Sequence, residues 1–460
     1  MTDLLTGSPF KRIASFCVPL LIGNLFQQMY SMTDSVVVST FMGKEAFAAV
    51  TSTGAINFLV IGFVLGLCSG FSIPIAQDYG AGDTAGVRRA IGSCVWLGVM
   101  MTVVLTAAMF FFTDDLLRLL NTPQELLEYA YEYIFVIFMG MAATMLYNML
   151  AGILRALGDS RTPLYFLILS CLINIALDIL FIAVFHLGVA GAAYATLAAQ
   201  LVSGVLCLRT IRRRFPQMMP RREDMRFDPE YARRLFVSGV PMGLQFSITA
   251  VGSVVLQGAV NGLGVDAVAA MGAGGRVSGF VTCPLDSLGI AAATFTGQNI
   301  GAKNLARVRQ GVRQMMVMGL CYCAFAFLLC LLGGRFLTTL FVSARETNVL
   351  DLTQQYLTTY SVFYPALLII YVFRNTIQGL GYSKEAMLAG LFELFGRCGV
   401  AFGLIGTYGF AAAAFASPVA WLAADLLLLT LYYNKMSRLW RWELARQRYE
   451  KMKSAAPAKS

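Results

Sequence analysis

Histidine is almost missing from this 460-residue chain, His186 being the only one, and it falls in a turn between two apolar segments. A catalytic pair or metal triad built on histidine is therefore excluded, which leaves a membrane enzyme or receptor without a constellation to work with. Charge is scarce too. Only 13% of residues are charged while 58% are hydrophobic, a balance that excludes an ordinary soluble domain. No G-x-x-x-x-G-K-[ST] segment occurs, so no nucleotide-hydrolysing loop is expected. The ten cysteines are scattered through apolar stretches, and the closest pair, Cys321 and Cys323, has no ligand-type neighbours. They read as small packing residues, not disulfides or metal ligands. The opening segment MTDLLTGSPFKRIASF has no short apolar run with a small-residue cleavage site, so the first span is expected to serve as its own insertion signal.

What the chain does have is apolar runs, each long enough at about 20 residues to cross a bilayer. They fall at roughly 13–42, 46–76, 90–112, 129–153, 162–185 and 189–209, then 235–262, 266–298, 313–333, 352–379, 385–406 and 410–433. Six plus six is also the count an internal repeat demands. At a spacing of about 221 to 223 residues, Val18-Pro19 matches Val240-Pro241, Gly43 with Ala46 matches Gly264 with Ala267, Gln77-x-x-Gly80-Ala81 matches Gln298-x-x-Gly301-Ala302, and Leu157-Gly158-x-Ser160 matches Leu380-Gly381-x-Ser383. The expected fold is an all-α integral membrane protein of twelve transmembrane helices in two six-helix lobes. An even number of spans per copy makes the copies run in the same direction, with a cavity between them.

The net charge of +10 is explained by topology and calls for no nucleic-acid partner. Lysine and arginine crowd into alternate connections, with only Lys44, Arg118, Arg335 and Arg345 on the other side. The positive-inside rule then puts both termini in the cytoplasm of a multi-pass protein of the cell membrane, and the basic side is suited to contact anionic lipids. The divisions that follow are an amino-terminal lobe over residues 1–210, a basic linker over 211–234, a carboxy-terminal lobe over 235–434 and a basic, helical tail over 435–460.

Inside the apolar spans, acids are expensive and usually functional. Asp34 lies about nine residues before the turn at Gly43, Asp178 about nine before the turn near Leu187, and Thr196 about nine after it, so all three sit about 13 Å below the same face. Asn174 precedes Asp178 by four residues and shares its helical face. Two carboxylates, an amide and a hydroxyl at one depth offer hard oxygen ligands, which suit a proton or Na+ and not a soft metal. A carboxylate removed from water and set near a second one also holds a proton more tightly. The repeat partners Leu256 and Val400 are apolar, so this chemistry belongs to one lobe. Pro19 lacks the N–H of a helical residue and marks a bending point in the first span.

The second lobe carries other charges: Arg276, Asp286, Arg374, Glu393, Arg397 and Asp425. Glu393 and Arg397 are four apart in the favourable order for a helical ion pair or, alternatively, a substrate contact. Arg276 and Asp286 can neutralise each other only through a neighbour. Tyr30, Gln27 and Met145 complete the candidates for a cavity wall, since aromatic and thioether side chains adapt to varied ligands.

The segments Pro19–Asp34, Ala76-Gln-Asp-Tyr-Gly-Ala-Gly82, Arg155-Ala-Leu-Gly-Asp-Ser160, Asn174-Ile-Ala-Leu-Asp178, Gly188–Thr196 and Gly297–Lys303 together resemble the multidrug and toxic compound extrusion (MATE) family, over essentially residues 10 to 435. The nearest branch is the bacterial one that includes DNA-damage-inducible relatives. The resemblance implies a secondary transporter, not an enzyme, that exports cationic, amphipathic organic compounds in exchange for protons or sodium. Asp34, Asn174, Asp178 and Thr196 match the family's coupling positions, and Pro19 its bending point. No resident cofactor is implied, only H+ or Na+ as coupling ion, and a monomer is expected. The alternative is a flippase for a lipid-linked sugar or phospholipid, whose anionic headgroup would suit Arg276, Arg374 and Arg397.

Overall fold

A computed structural model describes residues 2–119 and 122–455; the side chains of Ser31, Met32, Asp34, Ser35, Val36, Lys44 and residues 446–455 lie outside the described set. The first half comprises α1 (Pro9–Ser52), α2 (Gly54–Gly80), α3 (Thr84–Leu119), α4 (Gln124–Met139 and Met141–Ala156), α5 (Arg161–Asp178, continued by a π turn over Ile179–Val184) and α6 (Gly188–Arg214). The second comprises α7 (Pro229–Asn261), α8 (Val265–Gly301), α9 (Leu305–Thr338), α10 (Thr347–Val362, Tyr364–Ile369, a π turn over Ile370–Arg374 and Asn375–Gly379), α11 (Ser383–Gly403) and α12 (Ile405–Ala455). Ten of these helices are long and apolar enough to cross a membrane, and α4 and α10, each bent by 51°, bring the number to twelve.

The repeat seen in residue types recurs in backbone geometry. Left-handed φ values occur at Gly43 and Gly264, Gly82 and Lys303, Gly158 and Gly381, and Gly188 and Gly409, four pairs spaced 221 to 223 apart. Such a φ reverses the chain tightly and is cheapest without a Cβ. Gly43 falls inside α1, where φ of 85° ends the first span. Helix runs on from there to Gly80 through the single irregular residue Thr53. The helices reach further than the apolar runs: α6 continues to Arg214, and α7 starts at Pro229, where Asp228 accepts from the N–H groups of Glu230 and Tyr231. An N-cap acid before a proline at the first position is a strong start signal, so helix takes both ends of the expected 211–234 linker.

The lobes meet at the face that carries the basic connections, and the contact is nearly symmetric. Gln77 Nε2 donates to Gly379 O at 2.9 Å, and its repeat partner Gln298 donates to Ala156 O at 2.7 Å. A Cβ on Gly80 would stand 1.9 Å from Gln298 O, and one on Gly301 1.9 Å from Gln77 O. Only glycine permits that approach. Arg234 clasps Asp78 through two nitrogens at 3.0 and 3.3 Å, and Arg307 donates to the carbonyls of Leu4, Thr6 and Gly7, strapping the amino-terminal segment across the seam. Cross-lobe contacts continue upward to Ser247 with Leu59 O and to Gln28 beneath Gly279. Toward the opposite face, a Cβ on Gly54, Gly258 or Gly272 would meet nothing within 4 Å.

Candidate functional site

Three helices of the first lobe bring their oxygen-bearing side chains together. On α5, Asn174 is 1% exposed and Asp178, one turn further, is fully buried. With its nitrogen toward the carboxylate, Asn174 donates to Asp178 Oδ2 at 3.1 Å, while its oxygen accepts from Thr196 Oγ1 at 3.3 Å and from the Thr196 N–H at 3.1 Å. The reversed amide would press oxygen against oxygen, so the donor and acceptor inventory selects the first orientation. Tyr30 of α1 joins through its hydroxyl, 3.0 Å from Thr196 Oγ1. Asp34 lies one turn beyond Tyr30 on the same helix; its side chain falls outside the described residues. Directly after Asp178 the backbone turns from α to π geometry, a distortion common at functional sites. Pro19 is buried within α1 and leaves one helical hydrogen bond unmade.

A second polar region lies between the lobes, just above the seam. This cavity of about 270 Å³ is lined by Asn24, Gln27, Arg155, Asp286 and Arg374, among others. Asn24 Nδ2 donates to Asp286 Oδ2 at 2.8 Å and to Ser287 Oγ at 3.1 Å, tying α1 to α8. Asp286 thus takes a hydrogen bond from an amide across the lobes and no ion pair from Arg276, which is exposed and lines neither this cavity nor the charge-cluster pocket. Met145 sits elsewhere as well: it is 3% exposed, with its sulfur 3.4 Å from Cys68 Sγ, and borders an apolar crevice of about 610 Å³ within the first lobe.

The third region is a charge cluster in the second lobe. Arg374 Nη1 reaches Glu393 Oε1 at 2.7 Å, and Arg397 Nη2 approaches Glu393 Oε2 at 3.7 Å. Arg397 also donates to Thr249 O at 3.3 Å. The helical pairing of Glu393 with Arg397 exists, but the tighter partner is Arg374, brought in from α10 by its π turn. A pocket of about 250 Å³ adjoins this cluster. Sequence reasoning missed Asn24 and Arg155 as site residues. Asn24 had no local signal, since its partner is 262 residues away, and Arg155 was counted as a charge of the basic side.

Twinned six-helix lobes closing on a central polar cavity define a membrane transporter of the secondary type, not an enzyme. The MatE family model matches residues 19–180 and again residues 241–405, one copy per lobe. Two proteins of Bacillus subtilis (strain 168) are similar along most of their length: the probable multidrug resistance protein YpnP, 29% identical over 85% of this chain and 86% of its own, and YoeA of the same description, 32% identical over 76% and 74%. A solved outward-facing multidrug resistance MATE family transporter superposes with a TM-score of 0.88 over 95% of this chain and 98% of that one, at 23% identity. The chain belongs to the MatE family, the multidrug and toxic compound extrusion transporters.

Proposed function

We propose that this transporter exports cationic, amphipathic organic compounds across the cell membrane as a monomer, with its basic face and both termini in the cytoplasm, and that a proton or Na+ moving inward drives it. In this reading Asp34, Asn174, Asp178 and Thr196 hold the coupling ion, no resident cofactor takes part, and anionic lipids contact the basic face. One observation carries it: Asn174 links the buried Asp178 carboxylate to Thr196, and Tyr30 ties that hydroxyl to α1. Loading a positive charge onto such a set changes which donors and acceptors the oxygens need. The helix that responds is α1, whose missing hydrogen bond at Pro19 gives it a place to bend.

One positive charge falling inward through about 150 mV releases about 3.5 kcal/mol. A monovalent cation leaving against the same potential consumes that amount, so uphill export is driven by the coupling ion's own concentration gradient or by a second ion per cation. The flippase alternative loses support because two of its three arginines, Arg374 and Arg397, are already held on Glu393. The reading is tested by dye movement in proteoliposomes under separately imposed proton and sodium gradients. One of the two should drive accumulation against a dye gradient, and passive equilibration under both would refute it.

A further inference from the structure

The apolar crevice of about 610 Å³ in the first lobe is walled by α3 from Ile91 to Val103, by the second half of α4 and by the end of α6 at Arg212, while Met219, Pro220 and Met225 of the linker roof its basic end. That roof is fastened to α3. Arg88 Nε holds Asp224 Oδ2 at 3.0 Å, Trp96 Nε1 donates to Met225 O at 2.8 Å, and a Cβ on Gly92 would stand 2.2 Å from Asp224 O. The crevice opens sideways from the lobe, since Val99, Val103 and Ala142 on its rim are exposed. Across the repeat the space is filled: Leu368, the counterpart of Met145, is fully buried, and a Cβ on Gly319 would stand 2.2 Å from its Cδ1. At the matching Gly98 a Cβ would lie 3.3 Å from Met149 Sδ, a flexible thioether.

Length and charge name the occupant. From Ile91 to Val103 the α3 axis rises about 18 Å, close to the roughly 15 Å of hydrocarbon in one leaflet. A gap of that depth left empty would forfeit the dispersion contacts of its lining, and what adjoins it is bilayer. Its basic end carries Arg212, which makes no ion pair among the described residues, whereas Arg88 is taken by Asp224 and Arg214 by Asp159. Arg221 and Arg222 directly follow Pro220 of the roof. A guanidinium matches two phosphate oxygens, and basic pockets between transmembrane helices on the cytoplasmic side suit anionic headgroups. We propose that this crevice is a site for one anionic phospholipid of the inner leaflet, its phosphate on Arg212 and an acyl chain laid along α3 and α4 beneath the linker. The inference rests on the reading that anionic lipids contact the basic face, and it gives that contact a place and a stoichiometry.

The test is native mass spectrometry of the purified full-length protein with added phosphatidylglycerol or phosphatidylcholine of the same acyl chains. The unmodified protein should retain one phosphatidylglycerol at least fivefold more than phosphatidylcholine. Arg212→Gln should bring the two lipids level, and Arg212→Lys should recover part of the preference, which separates loss of the charge from misfolding. Ala142→Trp, which fills the crevice from its exposed side, should remove the retained lipid of either kind. Arg313→Gln, an exposed charge of the basic face on α9, should change retention less than twofold. An equal fall in Arg313→Gln and Arg212→Gln overturns the site and leaves diffuse lipid contact with the basic face standing. Equal retention of the two lipids by the unmodified protein contradicts both. If Ala142→Trp instead removes bound rhodamine 6G and leaves phosphatidylglycerol in place, the occupant is a substrate and the proposal falls.

Discussion

The two lobes share a backbone and differ in the polar side chains they hold. Turns, bends and the glutamine clasp recur at 221 to 223 residues, yet the position 223 residues before Arg397 is Asn174 and that before Arg374 is Ala151. In the second lobe an acid is fixed by two guanidiniums. In the first, the buried acid is met by a neutral amide that also serves a hydroxyl. The lesson is that a repeat supplies scaffolding twice while chemistry is placed once. An acid already closed on arginines has little left to offer an arriving cation, whereas an acid bonded to an amide keeps its charge for one.

The sharpest way to break this comparison is Asp178→Asn. It should abolish gradient-driven efflux, at least a hundredfold below the unmodified protein, with the protein still in the membrane, as measured by dye export in vesicles and by immunoblot. Glu393→Gln should act on the other axis: it leaves two buried guanidiniums without their carboxylate, and removing one member of a buried pair costs about 3 to 5 kcal/mol. A marked fall in thermal stability in detergent is the expected outcome, and unchanged stability would show the cluster to be something other than a brace. Gly80→Ala and Gly301→Ala should behave alike, because each Cβ would meet a carbonyl across the seam at 1.9 Å. Overpacking of about 1 to 3 kcal/mol should loosen the basic face, read as faster labelling of a cysteine introduced at the seam; unequal effects would break the symmetry. The smallest change is Thr196→Val, which removes a hydroxyl worth about 1 kcal/mol. It should raise the half-saturating ion concentration about fivefold.

Much of the fold was legible because lipid imposes simple rules. Apolar runs marked the spans, basic residues marked one face, and Gly43 marked a turn that its φ bears out, while the repeat-matched glycines Gly158, Gly264 and Gly381 share the left-handed φ. Asn174 and Asp178 were legible as neighbours from their spacing of four on one helical face, and Thr196 from a depth count that the π turn after Asp178 did not upset. What escaped depended on contacts between distant segments or on local breaks. The π turn that swings Arg374 toward Glu393 has no residue signature, and the pairing of Asn24 with Asp286 joins opposite lobes. Arg155 precedes a turn on the basic side, so its sequence position gave no hint that its side chain lines the cavity.

The most direct measurement compares two forms of transport in one preparation: uphill dye export driven by an ion gradient, and dye-for-dye exchange without one, in the unmodified protein and in the Asp34→Asn, Asp178→Asn double variant. If the first-lobe acids carry the coupling ion, the variant keeps exchange and loses uphill export. Uphill export at the unmodified rate would contradict the account.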